Sequence, residues 1–303
     1  MKKFMLLIFF TTYMYAFEQK TILVFGGKTG WIGQKIVHIA QELGYTVICA
    51  CSRLENRESI IAEIEAVKPD YIINAAGITG KPNVDWCEDH KQETIRTNVI
   101  GTLNLADIAY QYNIHLTNIS TGCIYEYDQK HPMWSGIAFT EEEAPNFDGS
   151  FYSRTKIMME KLLMEYPHVL NLRVKMPVST DMEHGFVAKI TKYKKVVNIP
   201  NSLSVLDDLL PLAVDMTVRE IKGNYNFVNP GAISHHQVLA LYQEYIDPDF
   251  TYEGFSVEEQ DRILKARRAN AQLSTEKLQQ LYPDIPPIKD ALIILFKRMS
   301  QNN

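Results

Sequence analysis

The run TILVFGGKTGWIGQKIVHIAQELGYTVICACSR, residues 21–53, constrains the fold more than any other part of the chain. Residues 21–25 are apolar without polar alternation, the pattern of a strand covered on both faces. Residues 31–43 place apolar side chains at helical spacing, Gly44 ends that helix, and residues 45–50 form a second strand. Strand, glycine turn, helix and strand open a parallel sheet, because parallel neighbours need a crossover on one face. The same rhythm continues through a helix at 58–67, a strand at 71–74, a long helix at 90–112, a strand at 114–119, a helix at 151–165 and a strand at 169–174.

This order specifies an α/β protein with a Rossmann-type doubly wound parallel sheet. Beyond residue 175 the alternation loosens, and helices near 234–245, 257–269, 274–281 and 288–299 point to a smaller C-terminal lobe. A chain of 303 residues with 46% hydrophobic and 22% charged residues has ample material for such a core. Lys and Arg number 31 against 36 Asp and Glu, with no dense basic stripe, which argues against a nucleic-acid partner. The four cysteines, Cys49, Cys51, Cys87 and Cys123, complete no zinc set with a histidine, so no metal is expected and reduced thiols in the cytosol are the simplest reading. At the amino terminus, Lys2 and Lys3 precede an apolar stretch ending at Ala16, as in secretory signals. Thr11 and Thr12 interrupt the stretch, and its length falls below the roughly 20 residues a membrane span needs. A cytoplasmic location is expected, with a secretory or membrane-associated terminus left open.

Gly27, Gly30 and Gly33, preceded by Gly26, lie where the first strand becomes the first helix. Missing side chains let the backbone turn sharply and approach a pyrophosphate while helix amides face its charge. Dinucleotide binding follows, with Thr29, Trp31 and Ile32 in the same turn. Twenty residues beyond Gly33, where NAD enzymes commonly present an acid, stands Arg53 beside Ser52. Both can serve a 2′-phosphate, which favours NADPH, although Glu55 nearby keeps NADH in play. Asn74, Ala75, Ala76 and Gly77 make a small-residue turn after the 71–74 strand, where the cofactor can approach the backbone. The expected division is therefore an extension at 1–20, a mainly dinucleotide-binding part at 21–175, and a mainly substrate-binding part at 176–303 with some segments returning to the sheet.

Tyr152 and Lys156, four residues apart on one helix, share a face. A lysine beside a phenol lowers the cost of phenolate, so the pair can move the proton that accompanies hydride transfer. Thr121, beyond the 114–119 strand, can orient a carbonyl at the carboxyl edge of the sheet, where ligand loops collect. Cys123, two residues on, can set a thiolate beside the neighbouring carbon; packing of a buried thiol is the competing account. Asn83, Asp85 and Glu88 can touch the substrate or cap a helix, and Cys87 beside Trp86 reads as packing. Asn98, in the long helix, can organise the active-site backbone, while Arg96 reads equally as surface. Lys175, Met176 and Pro177 follow the 169–174 strand toward the substrate, and Asn198 lies in a turn able to meet a base or pyrophosphate. His131 reads as a loop residue, His184 as a cap or an acid, and His235 and His236 as the start of a helix.

The phrases GGKTGWIG, NAAG, STGC and YSRTK resemble the extended short-chain dehydrogenase/reductase superfamily. NAAGITGKPNVDWCEDHKQETIRTNVIGTLNLADIA, TGCIYEYDQKHP, FYSRTKIMMEKLL and KVVNIPNSLSVLDDLLP resemble its bifunctional nucleotide-rhamnose synthase (epimerase/reductase) branch, over about residues 21–245. The resemblance implies NADPH-dependent conversion of UDP-4-keto-6-deoxy-D-glucose to UDP-β-L-rhamnose, by epimerisation at carbons 3 and 5 and reduction at carbon 4. It implies hydride-transfer roles for Thr121, Tyr152 and Lys156, and an epimerisation pair of Cys123 and Lys189, with His184 an alternative to Lys189. A separate upstream 4,6-dehydratase must then supply the UDP-linked 4-keto-6-deoxyhexose, and the helices at 90–112 and 151–165 offer a homodimer face. A 4-ketoreductase without epimerase activity, acting on a dTDP- or other nucleotide sugar, and a non-catalytic NADP(H)-binding sensor are the other readings. Composition and spacing do not separate UDP from dTDP.

Overall fold

The computed structural model describes residues 19–301, so the signal-like reading of the amino terminus lies almost wholly outside the described residues. Six parallel strands build the main sheet: β1 (Thr21–Phe25), β2 (Thr46–Cys49), β3 (Tyr71–Asn74), β4 (His115–Thr121), β5 (Val169–Val174) and, from the carboxyl-terminal part, β8 (Gly223–Asn226). Their spatial order is β2-β1-β3-β4-β5-β8. Helix α1 (Trp31–Glu42) follows β1 and α2 (Arg57–Val67) follows β2. Short helices α3 (Trp86–Asp89) and α4 (Lys91–Ile95), a π-helical turn (Arg96–Gly101) and α5 (Thr102–Gln111) lead to β4, and α6 (Phe151–Leu163) leads to β5.

Alternate residues of the strands enter opposite layers, and each layer holds an apolar core. Ile22, Val24, Ile73, Leu170 and Leu172 pack under α1 and α8 (Leu206–Val218), whereas Leu23, Phe25, Ile72, Leu116 and Val169 pack under α2, α5 and α6. This double coverage is the physical reason that residues 21–25 show no polar alternation. A third core joins α7 (Gly185–Ile190), β6 (Lys195–Val196), the segment around β7 (Pro200–Asn201) and β9 (Ile233–Ser234), α9 (His235–Tyr245) and α12 (Ile288–Gln301). Beyond α9 come β10 (Glu253–Gly254), paired with β6, then α10 (Val257–Ile263) and α11 (Glu276–Leu281).

Three expectations change. The helix read at 257–269 stops at Ile263, because Leu264 turns to extended backbone and the following residues become a strap. The long helix read at 90–112 is broken by the π turn, where helices often adapt to a functional site. Strand β4 runs to Thr121, so the threonine ends the strand rather than following it. Among the described residues no helix is long and apolar enough to cross a membrane.

At the opposite, amino-terminal end of β4, His115 is 6% exposed, and burial, helped by the charges of His168 and Lys222, lowers its pKa from 6.5 to about 4. The folded state keeps this ring neutral where the unfolded chain protonates it, so its contribution to stability is present above pH 6.5 and lost as pH falls toward 4. By pH 5 the loss is about 2 kcal/mol. Urea unfolding at pH 7 and pH 5 is expected to show this decline, and His115→Gln to reduce it. Equal pH dependence in the variant would remove His115 as its source.

Candidate active site

The glycine turn is built by close backbone approach. Gly26 has φ +81°, and a Cβ there would lie 2.8 Å from the Ala75 carbonyl carbon and the Ala76 nitrogen; at Gly33 a Cβ would lie 2.2 Å from the Gly26 oxygen. Any larger residue therefore opens the cradle at the amino terminus of α1, which fits a dinucleotide pyrophosphate. Thr29 is exposed in this turn. Trp31 stacks on His184 with ring centroids 5.7 Å apart, and a Cβ at Gly185 would lie 2.8 Å from the same indole, so the entry to α7 covers the turn. Ile32 packs into the core beneath α1.

At the end of β2 the side chains divide differently from the sequence reading. The Ser52 hydroxyl donates to the Ser59 carbonyl at 2.8 Å, so its proton is already committed and it is not a free donor to a 2′-phosphate. Both oxygens of Glu63 accept the Cys51 and Ser52 amides, at 2.6 and 2.9 Å. Arg53 is exposed and lines a groove of about 550 Å³ with Arg57 and Arg96. Lys28, which the sequence reading did not single out, donates to Cys51 Sγ at 2.7 Å, and that hydrogen bond raises the lysine pKa. Glu55 and Glu58 line the same groove, but Glu63 is taken by backbone amides and Glu55 accepts from the Thr97 hydroxyl, so Lys28 and Arg53 at the end of β2 fit a phosphorylated ribose.

The chemistry collects where β4 meets α6. Ser150 caps α6, its hydroxyl accepting from the Ser153 amide at 3.1 Å, and Glu88 accepts from the Phe151 amide at 2.6 Å. Ser153 in turn donates to the Cys123 carbonyl at 2.6 Å, while the Cys123 amide donates to Thr121 Oγ1 at 3.0 Å. The strand end and the helix start are thereby tied together, and Ser153 is a site residue that its place beside Tyr152 could have signalled. Tyr152 is 7% and Thr121 5% exposed, and Cys123 is a half-buried free thiol. Burial raises the Tyr152 phenol pKa, the neighbouring Cys123 adds to this, and a hydrogen bond with Thr121 opposes it. Burial lowers the Lys156 ammonium to about 8, against the opposing effects of Glu160 and Cys87. Ser120 presents a buried hydroxyl with no hydrogen-bond partner one residue before Thr121, a spare polar group for a ligand at this edge.

Several residues expected at the substrate serve the scaffold. Lys175 is 0% exposed and donates to the Ala269 carbonyl at 2.7 Å, which removes it from ligand contact. The Asn98 side chain spends both polar atoms on the Ile78 backbone, at 2.8 Å each, and so organises the loop beside Gly77 rather than a sugar. Glu88 is spent on the Phe151 amide at the start of α6, as described above. Asn83 accepts from the Asp85 amide at 2.9 Å, and Asp85 binds Arg268 at 2.7 Å. Met176 is half-buried with φ +42°, a strained backbone for a non-glycine residue, and the Pro177 carbonyl accepts from the Phe186 amide at 2.8 Å. Asn198 is exposed.

Lys189 projects from α7 with solvent access, yet desolvation by the surrounding protein, followed by the charge of Arg268, lowers its pKa. His184, the alternative, pairs with Asp181 at 3.0 Å and stacks on Trp31. His131 is buried between Asp128 and Glu143, at 3.0 and 2.9 Å, and is structural. Arg268 was missed because residues 264–269 read as helix; as an extended strap the segment carries it to Asp85, while Arg267 reaches Glu126 and Lys265 reaches Asp89.

A parallel sheet with a glycine cradle at β1 and a Thr/Tyr/Lys set at the edge of β4 defines a dinucleotide-dependent enzyme of the short-chain dehydrogenase/reductase type. Residues 22–182 match the model of the NAD dependent epimerase/dehydratase family, and the chain belongs to that family. It is 52% identical over 269 residues, 88% of this chain and 89% of the relative, to the bifunctional dTDP-4-dehydrorhamnose 3,5-epimerase/dTDP-4-dehydrorhamnose reductase of Arabidopsis thaliana. A trifunctional UDP-glucose 4,6-dehydratase/UDP-4-keto-6-deoxy-D-glucose 3,5-epimerase/UDP-4-keto-L-rhamnose-reductase of the same plant is 50% identical over 88% of this chain, which spans 40% of that longer relative. The crystal structure of the L780 UDP-rhamnose synthase from Acanthamoeba polyphaga mimivirus superposes with TM-score 0.88 at 38% identity, covering 92% of this chain and 99% of that one.

Proposed function

We propose that this enzyme carries out NADPH-dependent 3,5-epimerisation and 4-keto reduction of UDP-4-keto-6-deoxy-D-glucose, giving UDP-β-L-rhamnose. The observation that carries the reading is the tie of Thr121 and Cys123 to the start of α6, which gathers a hydroxyl, a thiol, the Tyr152 phenol and the Lys156 ammonium at one strand edge. A ketone at carbon 4 acidifies the hydrogens on carbons 3 and 5, since the enolate places charge on oxygen; Thr121 and Tyr152 are suited to hold that oxygen. Cys123 as thiolate takes the proton from carbon, and Lys189 as ammonium returns one to the opposite face, so each inversion breaks and remakes one C–H bond. When bound, the nicotinamide supplies the hydride to carbon 4. Tyr152 gives its proton to the carbonyl oxygen, and Lys156 beside it steadies the charge left on the phenol.

The ketosugar must come from a 4,6-dehydratase acting first, an activity named in the trifunctional relatives. Exposed Ile95, Ile100 and Tyr110 of the α4–α5 run and Met158 and Leu162 of α6 offer a face for a homodimer. Four free cysteines fit a cytosolic setting. The purified chain, given UDP-4-keto-6-deoxyglucose, is expected to oxidise NADPH faster than NADH and to form the rhamnose nucleotide, identified by mass spectrometry and NMR. Tight NADPH binding without product would overturn the enzymatic assignment for this substrate. The matching dTDP-ketosugar reads base preference, a question kept alive by the dTDP compounds named for the 52% identical relative.

A further inference from the structure

Beneath the active site, a row of asparagines crosses four strands. Asn74 of β3, Asn118 of β4, Asn171 of β5 and Asn224 of β8 are direct cross-strand neighbours in register. Asn74, Asn118 and Asn171 are at most 1% exposed. Asn74 Nδ2 donates to Asn118 Oδ1 at 2.9 Å, Asn118 Nδ2 to Asn171 Oδ1 at 2.8 Å, and Asn171 Nδ2 to Glu160 Oε2 at 2.9 Å. At the far end, Asn74 Oδ1 accepts from the Ala76 amide at 3.1 Å. A carboxylate can only accept and a backbone N–H can only donate, so these two ends fix the orientation of all three amides. The chain is polarised in one direction, an arrangement in which each bond strengthens the next.

Both ends of this chain return to the catalytic lysine. Tyr152, Lys156 and Glu160 are spaced by four residues on α6 and are all buried, so they share one face. Glu160 is 5% exposed and is held by Arg173 Nη2 at 2.6 Å, with Arg173 also directed at the Glu141 carbonyl and Asn226. At the other end lies the turn Ala75–Ile78, clamped by Asn98. A Cβ added to Gly77 in that turn would lie 3.3 Å from Asn98 Oδ1 and 3.5 Å from Lys156 Nζ. A closed circuit thus runs from Lys156 along α6 to Glu160, through three strands to Asn74, and back along the cofactor-side turn to Lys156.

We infer that Glu160, Asn171 and Asn118 are positioning residues for the reduction: they fix the charge and place of Lys156 against the cofactor-side turn. Burying Asn74, Asn118 and Asn171 is costly unless each amide is bonded, and packing alone has no use for them. The inference rests on the proposed role of Tyr152 and Lys156. The titratable and charged groups around Lys156 are Cys87 of α3, Tyr152 and Glu160 of α6 and, behind Glu160, Arg173 of β5. Removing the negative charge of Glu160 leaves the ammonium with less to favour it, so its proton departs at lower pH.

The test measures reduction of the pre-epimerised ketosugar across pH, with NADPH affinity measured separately. Glu160→Gln is expected to move the alkaline limb of kcat to lower pH and to reduce kcat about tenfold or more, with NADPH affinity held. Asn171→Thr keeps the Glu160–Arg173 pair and cuts the relay; it is expected to lower kcat about tenfold with the limb in place. It decides the matter alone if Glu160→Gln fails to fold. Folded variants of both residues with wild-type kcat and an unmoved limb would overturn the inference, even if their melting temperatures fall. Lys156→Met separates the layers: full activity in that variant defeats the Tyr152/Lys156 reading itself, whereas lost activity beside unaffected Glu160 and Asn171 variants defeats only the positioning circuit.

Discussion

Cys123→Ser is expected to abolish proton exchange at carbons 3 and 5 while sparing reduction of a ketosugar that has already been epimerised. The replacement changes one atom, and the local backbone has reason to stay put: the Cys123 amide is held by Thr121 Oγ1 and its carbonyl by Ser153. What changes is acidity, because an alcohol ionises far less readily than a thiol. A general base lost from a carbon acid costs about 10²- to 10⁴-fold, so deuterium uptake from D₂O should fall by at least about 100-fold. NMR of the recovered nucleotide sugar resolves the two carbons separately. Undiminished exchange at both would remove the thiol as base, and loss at only one would assign the other carbon to a different group, with the Lys189 ammonium and His184 imidazole the first to examine.

The parts of this design that follow local rules were legible in the sequence. Gly26, Gly30 and Gly33 announce the turn because backbone approach permits nothing else there, and residues 21–25 announce burial on two faces because their polarity does not alternate. Side-chain partnerships formed across the fold were not legible. Lys175 sits at the end of β5, where a ligand contact is expected, but the strap at 265–273 passes over it and takes its ammonium. That strap was itself hidden, since its charged residues continue the composition of α10 and no proline or glycine marks the break after Ile263. Ser52 and Asn98 illustrate the same point: a free hydroxyl and amide in the sequence become a bonded hydroxyl and a bonded amide once Ser59 and Ile78 arrive. The asparagine ladder was spread over about 150 positions of sequence, and only strand register brings its members into line.

Tyr152→Phe should give the largest loss on the reductive side, about 10²- to 10⁴-fold in kcat for the pre-epimerised substrate, with NADPH binding retained. The ring packs at the start of α6 and keeps its volume, so the variant isolates the hydroxyl. Burial raises the phenol pKa, which keeps the proton on oxygen throughout the neutral range and makes Tyr152 an acid ready to donate. In the proposed mechanism its difficulty is the phenolate left behind in a buried site, which Lys156 would relieve only while charged. Since burial lowers that ammonium to about 8, reduction by the wild type should lose rate on the alkaline side near pH 8, at a pH where the free phenol of Tyr152 is still protonated. Stopped-flow oxidation of NADPH from pH 6 to 10 resolves this limb in the wild type, and in Lys156→Met it should be absent from an already depressed rate. A Phe variant with undiminished hydride transfer would mean that the carbonyl oxygen takes its proton elsewhere, and the neighbouring Thr121 hydroxyl, which acts on the phenol pKa, would be the next donor to remove.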